Sequence, residues 1–417
     1  MKLLPGFRDF YPGDCARRNY ILSTWREVAR RYGFVEYDGP VLEPIELYKK
    51  KSGGELLGQL FDFVDKGERH VAMRPEMTPT LARMVAARER DFKKPLKWFC
   101  CPQFFRYEKQ QRGRLREFYQ FNADIIGEAS PAADAEMLAL VIDLLRGFGF
   151  TKDDFVVRVS DRDAWTKFAT TRGVPGERVL DFLAVVDKLE RSSDADNAKK
   201  LDEFGITLDA VRAFIADPTA EATQLRAITD ALAARGLDGF IEIDLTIVRG
   251  LAYYTGFVFE VFDRAKNERA LAGGGRYDKL LSLMSDGKCD LPALGFGMGD
   301  VVLANLIDDT PHAKVKMDAW IAQKHACDIY VVIAKEERRA AALGIVQQLR
   351  DTGSRVDFPL AEAKVGKQFQ TAEQLGARQA ILVGDEWPQV KLKTLATREE
   401  TLLSVEDALA QLRPTSA

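Results

Sequence analysis

Cysteine is scarce in this 417-residue chain: Cys15, Cys100, Cys101, Cys289 and Cys327 are odd in number and never spaced C-x-x-C. Histidine is scarcer still, with only His70, His312 and His325. These shortages exclude a disulfide scaffold and a His/Cys zinc signature, and the thiols are expected to be reduced. Long apolar runs are also missing, and none approaches the ~20 residues a membrane-crossing helix needs. The opening MKLLPGFRDF is broken by Pro5, Arg8 and Asp9, which does not suit a secretory signal. Charge of one sign is lacking too, since 60 basic and 63 acidic side chains leave a net −3. No global positive field draws in a polyanion, so any partner bearing phosphates must be met by local patches. The expectation is a soluble cytoplasmic protein with no membrane association.

The hydrophobic share of 46% is that of a globular chain, and the length exceeds one ordinary domain of ~100–150 residues. Ile21, Trp25, Val28, Ala29 and Tyr32 recur at helical spacing behind Asp14 as a cap and before Gly33 as a stop. Short strand-like pieces follow, FVEYDGPVLEP and HVAMRP. LKWFCCPQFFRYE and REFYQFNADIIGE read as long strands of a hairpin with the charged tip EKQQRGRLR. Ser130-Pro131 opens another helix, and DFVVRVSDR is a strand. Residues 164–236 are charged and helix-patterned, a helical insertion inside a sheet-based domain reaching about residue 320. Strands return with GFIEIDLTIV and FVFEVFD, and AGGGRYD and LGFGMGD read as glycine-dense turns. From residue 326 to 417 strands and helices alternate, closing with REETLLSVEDALAQLR as a helix, which predicts a compact α/β domain.

The residues able to carry chemistry are few. Arg106 ends one strand of the hairpin and Arg114 and Arg116 begin the next, so their guanidinium groups converge. Such forks suit a polyphosphate, though the same charges also suit a solvated loop. Arg249 stands in Ile247-Val248-Arg249-Gly250-Leu251 ahead of Tyr253 and Tyr254. Buried there it would need an anion; at a sheet edge it would need none. Glu76 and Thr78 close a strand just before a helix, as an ammonium-binding pair or as helix caps. The glycine segments permit close backbone approach, but neither has the Gly-Lys-Ser/Thr ending of a phosphate loop.

Together these pieces resemble the histidyl-tRNA synthetases, a class II aminoacyl-tRNA synthetase family. Pro5-Gly6-Phe7-Arg8-Asp9 matches the family's opening, Tyr32 to Pro40 resembles motif 1, and Phe105 to Glu128 resembles motif 2. Arg249-Gly250-Leu251 with Tyr253-Tyr254 resembles the histidine-specific element, and the segment after Lys324 an anticodon-binding domain. The resemblance covers nearly the whole chain. It implies an α+β catalytic domain on a mostly antiparallel sheet over residues 1–320, with the helical insertion, and a C-terminal α/β anticodon-binding domain over 326–417. It further implies that L-histidine and ATP (with Mg2+) give histidyl-adenylate, that the histidyl group passes to tRNA(His), and that the protein is a homodimer. By correspondence Arg106 and Arg249 hold the α-phosphate, and Arg114 meets ATP. Glu76 and Thr78 hold the substrate ammonium, with Gln120 near its carboxylate. Asp124 and Tyr254 read the imidazole, Tyr253 stands beside them, and Gln111 faces the tRNA acceptor end. No metal-binding motif is implied. Asp124 stands where many relatives have Glu, and Val302 stands where motif 3 carries an arginine. Either another cation such as Arg276 compensates or ATP is held weakly. The alternative is a histidine-binding paralogue without catalysis, the regulatory subunit of an ATP phosphoribosyltransferase.

Overall fold

The structure is a computed structural model that describes residues 2–51, 54–189, 192–217, 223–247, 253–265, 267–323 and 327–413. Two compact units divide the chain, Met1–Met317 and Asp318–Ala417.

The first unit opens on the helix Pro12–Arg31, which buries Tyr20, Ile21, Trp25, Val28 and Ala29 along one face. Pro12 sits in its first turn, where a missing N–H costs nothing. Tyr11 is the N-cap and makes no side-chain cap. The cap expected of Asp14 is therefore corrected: this residue lies inside the first turn, where its charge meets the positive end of the helix dipole. Gly33 follows with φ +73°, a left-handed value that favours glycine.

Twelve strands are described in this unit. They are β1 (Val35–Glu36), β2 (Leu42–Pro44), β3 (Asp62–Val64), β4 (His70–Met73), β5 (Leu96–Cys100) and β6 (Gln103–Phe105). The rest are β7 (Glu117–Ile126), β8 (Phe155–Asp161), β9 (Ile241–Ile243), β10 (Thr255–Asp263), β11 (Ala272–Arg276) and β12 (Ala293–Gly299). The large sheet runs β1-β5-β7-β12-β11-β10-β8-β9, with β6 also paired to β7. Its pairings are antiparallel except β1 with β5 and β8 with β9. That is the mostly antiparallel sheet expected from the sequence. A small antiparallel sheet, β2-β4-β3, stands apart.

One expectation fails here in an informative way. The segments AGGGRYD and LGFGMGD are not turns; they supply β11 and β12 at the middle of the large sheet. Part of the reason is close backbone packing. A Cβ on Gly274 would lie 2.3 Å from the Gly295 carbonyl oxygen and 2.4 Å from the Phe296 Cβ. Behind the sheet the helix Pro131–Gly147 buries Met137, Leu140, Val141, Leu144 and Leu145. The region 164–236 holds helices and no described strand, with Phe168 stacked on Phe214 at 4.5 Å in its own small core. Trp165 in that core donates its indole N–H to the Leu245 carbonyl at 2.7 Å.

The second unit carries β13 (Ile329–Ile333), β14 (Val356–Asp357), β15 (Gln379–Val383), β16 (Gln389–Thr394) and β17 (Glu400–Ser404). They run β14-β13-β15-β16-β17. The first three are mutually parallel and the last two antiparallel. The closing segment, expected as one helix from Arg398, is corrected: Glu400–Ser404 is a strand and the helix starts at Val405. Ser404 decides the boundary, because its Oγ accepts the Asp407 N–H at 3.1 Å as an N-cap. Among the described residues no helix is long and apolar enough to cross a membrane.

Candidate active site

A cavity of about 390 Å³ opens on the face of the large sheet formed by β7, β10, β11 and β12. Period-2 alternation puts Gln120, Asn122 and Asp124 of β7 on one face, and all three line the cavity. Opposite them in register, Gly295 pairs with Asp124, Gly297 with Asn122 and Gly299 with Gln120. A Cβ on Gly295 would sit 2.1 Å from Asp124 Oδ1, and one on Gly297 would sit 2.8 Å from the Gln120 amide carbon. The glycines of β12 thus clear the volume into which Asp124 and Gln120 lean.

Asp124 is 5% exposed and accepts a hydrogen bond from the Tyr277 hydroxyl. Burial first, then the charge of Asp124, raises the Tyr277 phenol well above its ordinary pKa, so it stays a donor. The ring of Tyr253 lies 4.7 Å from that of Tyr254 and 6.3 Å from that of Tyr277. Asp124 therefore stands at the base of a pocket walled by aromatic rings, with one oxygen oriented by a phenol.

Glu76 and Thr78 line the cavity where β4 gives way to the helix Thr78–Ala87. That helix has Met77 as N-cap and no side-chain cap bond. Arg106 donates its Nε–H to the Pro75 carbonyl at 2.9 Å, and its guanidinium lies 5.4 Å from the Phe118 ring centre. Both contacts fix its direction beside Glu76. Arg114 is held by Glu108, Nε to Oε2 at 2.6 Å, and both residues line the cavity.

Other expected residues fall elsewhere. Gln111 is exposed in the turn before Gly113 and bridges to Arg114 through backbone bonds, without lining the cavity. Arg116 does not join the other arginines; its guanidinium covers the Tyr107 ring at 3.9 Å. Arg276, expected as a compensating ATP-binding cation, does not line the cavity. It is 4% exposed, its Nε lies 2.8 Å from Asp134 Oδ1, and it donates to the Glu128 and Ser130 carbonyls. Those bonds tie it to the start of the helix Pro131–Gly147, away from the cavity lining. Arg249 lies outside the described residues, as do its neighbours from Val248 to Ala252.

Sequence reasoning missed Tyr277, Glu108 and Arg269, all of which line the cavity. Tyr277 was visible only as part of a glycine-rich segment, and nothing periodic marks Arg269. Arg8, in contrast, explains the chain's opening motif. Its Nε bonds Glu117 at 2.6 Å and its Nη1 bonds Asp300 at 2.9 Å, joining the start of β7 to the helix Asp300–Asp309. Near-complete burial pushes the Asp300 carboxyl up to about 6 despite Arg8. Among the described residues no group of three or more His, Cys, Asp and Glu is placed to hold a metal ion.

A glycine-floored antiparallel sheet with a buried carboxylate at one end and arginines at the other fits the class II aminoacyl-tRNA synthetases. Comparisons with known proteins take this further. Residues 6–299 match the family model for histidyl-tRNA synthetase, and residues 328–414 match that for an anticodon binding domain. The chain thereby belongs to the histidyl-tRNA synthetase family. A histidine–tRNA ligase of Opitutus terrae is 45% identical, covering 98% of this chain and 97% of its own length. The chloroplastic/mitochondrial histidine–tRNA ligase of Arabidopsis thaliana is 36% identical over 96% of this chain and 85% of its own. Among solved structures, histidyl-tRNA synthetase from Nostoc sp. PCC 7120 aligns with a TM-score of 0.76 at 23% identity, covering 99% of this chain and 98% of that one. An ATP phosphoribosyltransferase regulatory subunit/histidyl-tRNA synthetase from Bacillus halodurans aligns at 0.71 and 21% identity, covering 91% and 97%. These two likenesses speak to the fold alone.

Proposed function

We propose that the protein joins L-histidine to ATP as histidyl-adenylate, releasing pyrophosphate, and then transfers the histidyl group to tRNA(His). The observation that carries this reading is the Asp124–Tyr277 pair at the base of the cavity that Arg106 and Arg114 also line. A carboxylate fixed by a phenol accepts one imidazole N–H, and Tyr254 serves the other ring nitrogen. A pocket that must pair both nitrogens rejects apolar amino acids strongly, since its own buried polar groups would be left unmatched. Glu76 and Thr78 take the substrate ammonium, and Gln120 stands by its carboxylate.

In the first step a carboxylate oxygen of histidine attacks the α-phosphorus, and the bond to the bridging oxygen of pyrophosphate breaks. Charge accumulates on the α-phosphate oxygens, so the protein's work is placement and electrostatic stabilisation. Arg106, aimed by Pro75 and Phe118, supplies that from one side. Arg249 supplies it from the other, by correspondence with the family. ATP enters as its magnesium complex, which is substrate rather than resident cofactor. The second unit takes the anticodon of tRNA(His), Gln111 lies toward the acceptor end, and the working form is a twofold homodimer in the cytoplasm. The regulatory-subunit alternative is weaker, because a histidine sensor has no use for the anticodon-binding domain that residues 328–414 match.

The test is pyrophosphate exchange into ATP with each of the twenty amino acids supplied singly. Exchange with histidine alone is expected. Histidine binding without exchange would favour the regulatory alternative. In the same assay Asp124→Ala should raise the histidine KM by ~10²-fold or more and leave the ATP KM within about twofold. An unchanged histidine KM would remove Asp124 from the imidazole site.

A further inference from the structure

The end of the cavity beyond Arg106 has an odd balance of charge. On one side the first turn of the helix Asp300–Asp309 presents Val302, an apolar side chain that packs toward Gly113. Across from it the connection between β10 and β11 brings Arg269 into the cavity lining. Among the described residues Arg269 makes no hydrogen bond and no ion pair. Its side chain is exposed to the open cavity, and partial desolvation, then the charge of Arg114, lowers its pKa below the ordinary arginine value, with Glu108 acting the other way. Glu108 is already bonded to Arg114 at 2.6 Å. Arg114 and Arg269 thus both face Glu108, whose carboxylate is bonded to Arg114, and the Arg269 guanidinium faces the cavity without a bonded partner among the described residues.

The backbone that carries Arg269 is held in place. Asp263 accepts the N–H groups of Asn267 and Glu268 at 2.8 and 3.2 Å, and the Leu271 N–H bonds the Val261 carbonyl at 2.8 Å. The buried Glu268 carboxylate grips Arg112 at 2.6 Å and so ties this connection to the motif 2 hairpin. Arg269 is therefore presented by a braced segment. Its location also separates it from the amino-acid end. Arg106 bonds Pro75 next to Glu76, whereas Arg269 shares its surroundings with Arg114 and Glu108.

We propose that Arg269 grips the terminal phosphates of ATP, supplying from the β10–β11 connection the cation that Val302 does not offer from the helix. The inference rests on the reading of this cavity as an ATP site. A planar fork beside a second arginine suits the doubly charged terminal phosphate, whose oxygens it engages in pairs. Because Arg269 lies toward the hairpin rather than toward Arg106, it distinguishes nucleotides by the phosphates beyond the α position.

Calorimetric titration of the full chain with ATP and with AMP tests this without relying on catalysis. Arg269→Gln should weaken ATP binding at least tenfold and leave AMP binding within twofold. Histidine binding, measured on the same protein, should be unchanged and serves as the control for folding; Arg269→Ala is the second variant should glutamine bond locally. Retained ATP affinity, or an equal loss for ATP and AMP, would overturn the assignment. Wild-type protein that prefers ATP while Arg269→Gln keeps the preference sinks this inference alone. Wild-type protein that binds ATP no better than AMP and shows no histidine-dependent exchange sinks the ATP-site reading and this inference together.

Discussion

Two strands, one from each unit, differ in what covers their two faces. In the second unit β13 reads Ile-Tyr-Val-Val-Ile, and all five side chains are buried. Ile329, Val331 and Ile333 join one hydrophobic cluster while Tyr330 and Val332 join another, so both faces are covered. In the first unit β12 reads Ala-Leu-Gly-Phe-Gly-Met-Gly. Leu294, Phe296 and Met298 are buried, and the glycines between them face the Asp124 side of β7. A strand covered on both faces fills every position with bulk. A strand with one face on an open cavity keeps bulk on the other and removes it from the cavity side.

The contrast can be broken by adding one methyl to the first sheet. Gly295→Ala should collapse the imidazole site, since its Cβ would fall 2.1 Å from Asp124 Oδ1. Displacing that carboxylate by even ~1 Å should cut histidine-dependent exchange by ~10²-fold, and the melting temperature should fall as well, because the same Cβ would lie 2.9 Å from the Ala123 carbonyl oxygen. Exchange near the wild-type rate would mean that the glycines of β12 serve packing alone. The mirror experiment removes bulk from the second sheet. Val331→Ala, at a fully buried position, should cost about 2 kcal/mol of stability by chemical denaturation and leave the KM for histidine and ATP unchanged.

A gentler comparison uses acid, because a buried carboxyl in the first unit and a half-buried, arginine-paired one in the second shift in opposite directions. In the first unit burial pushes Asp134 up to about 6 from an unfolded value of 3.8, in spite of Arg276. Between those values the folded state holds a proton that the unfolded state has lost, so this contribution to stability falls as pH rises through the window. In the second unit the hydrogen bond from Arg355, with help from Arg378, holds Asp328 well below 3.8. Its contribution is present above about 4 and fades as pH drops below that. The penalty of Asp134→Asn should therefore shrink between pH 4 and 7, while that of Asp328→Asn should grow between pH 2 and 5. Thermal unfolding of each variant beside the wild type reads both slopes, and slopes of the same sign would contradict the contrast.

The same contrast explains what the sequence made legible. In the second unit β13 and β15 announce themselves through apolar runs and β16 through alternation, and only the Glu400–Ser404 strand was absorbed into a helix, because its exposed residues are those of an edge. Gln120 and Asp124 were named only through their place in a family motif; their period-2 spacing on β7 is what puts both on the cavity face. The strands β11 and β12 were not, since glycine marks turns far more often than floors, although the bulky-Gly alternation of β12 is itself a period-2 signal. Arg276 was singled out from the sequence and Arg269 was not, for a similar reason. A sequence shows that two arginines exist, but not that Asp134 waits for one of them across the fold. Nor does it show that the other is left facing a cavity.

The position of β12 also bears on how the protein is made. β7 is complete at Ile126, yet its second neighbour in the sheet begins only at Ala293. At ordinary rates of synthesis one long edge of β7 waits unpaired for roughly 10–30 s, a template that other nascent chains could join. The strand that closes this gap is also the one that makes room for Asp124 and Gln120. Closure of the sheet and completion of the binding floor are thus a single event late in synthesis, and no shorter intermediate of translation carries a finished site.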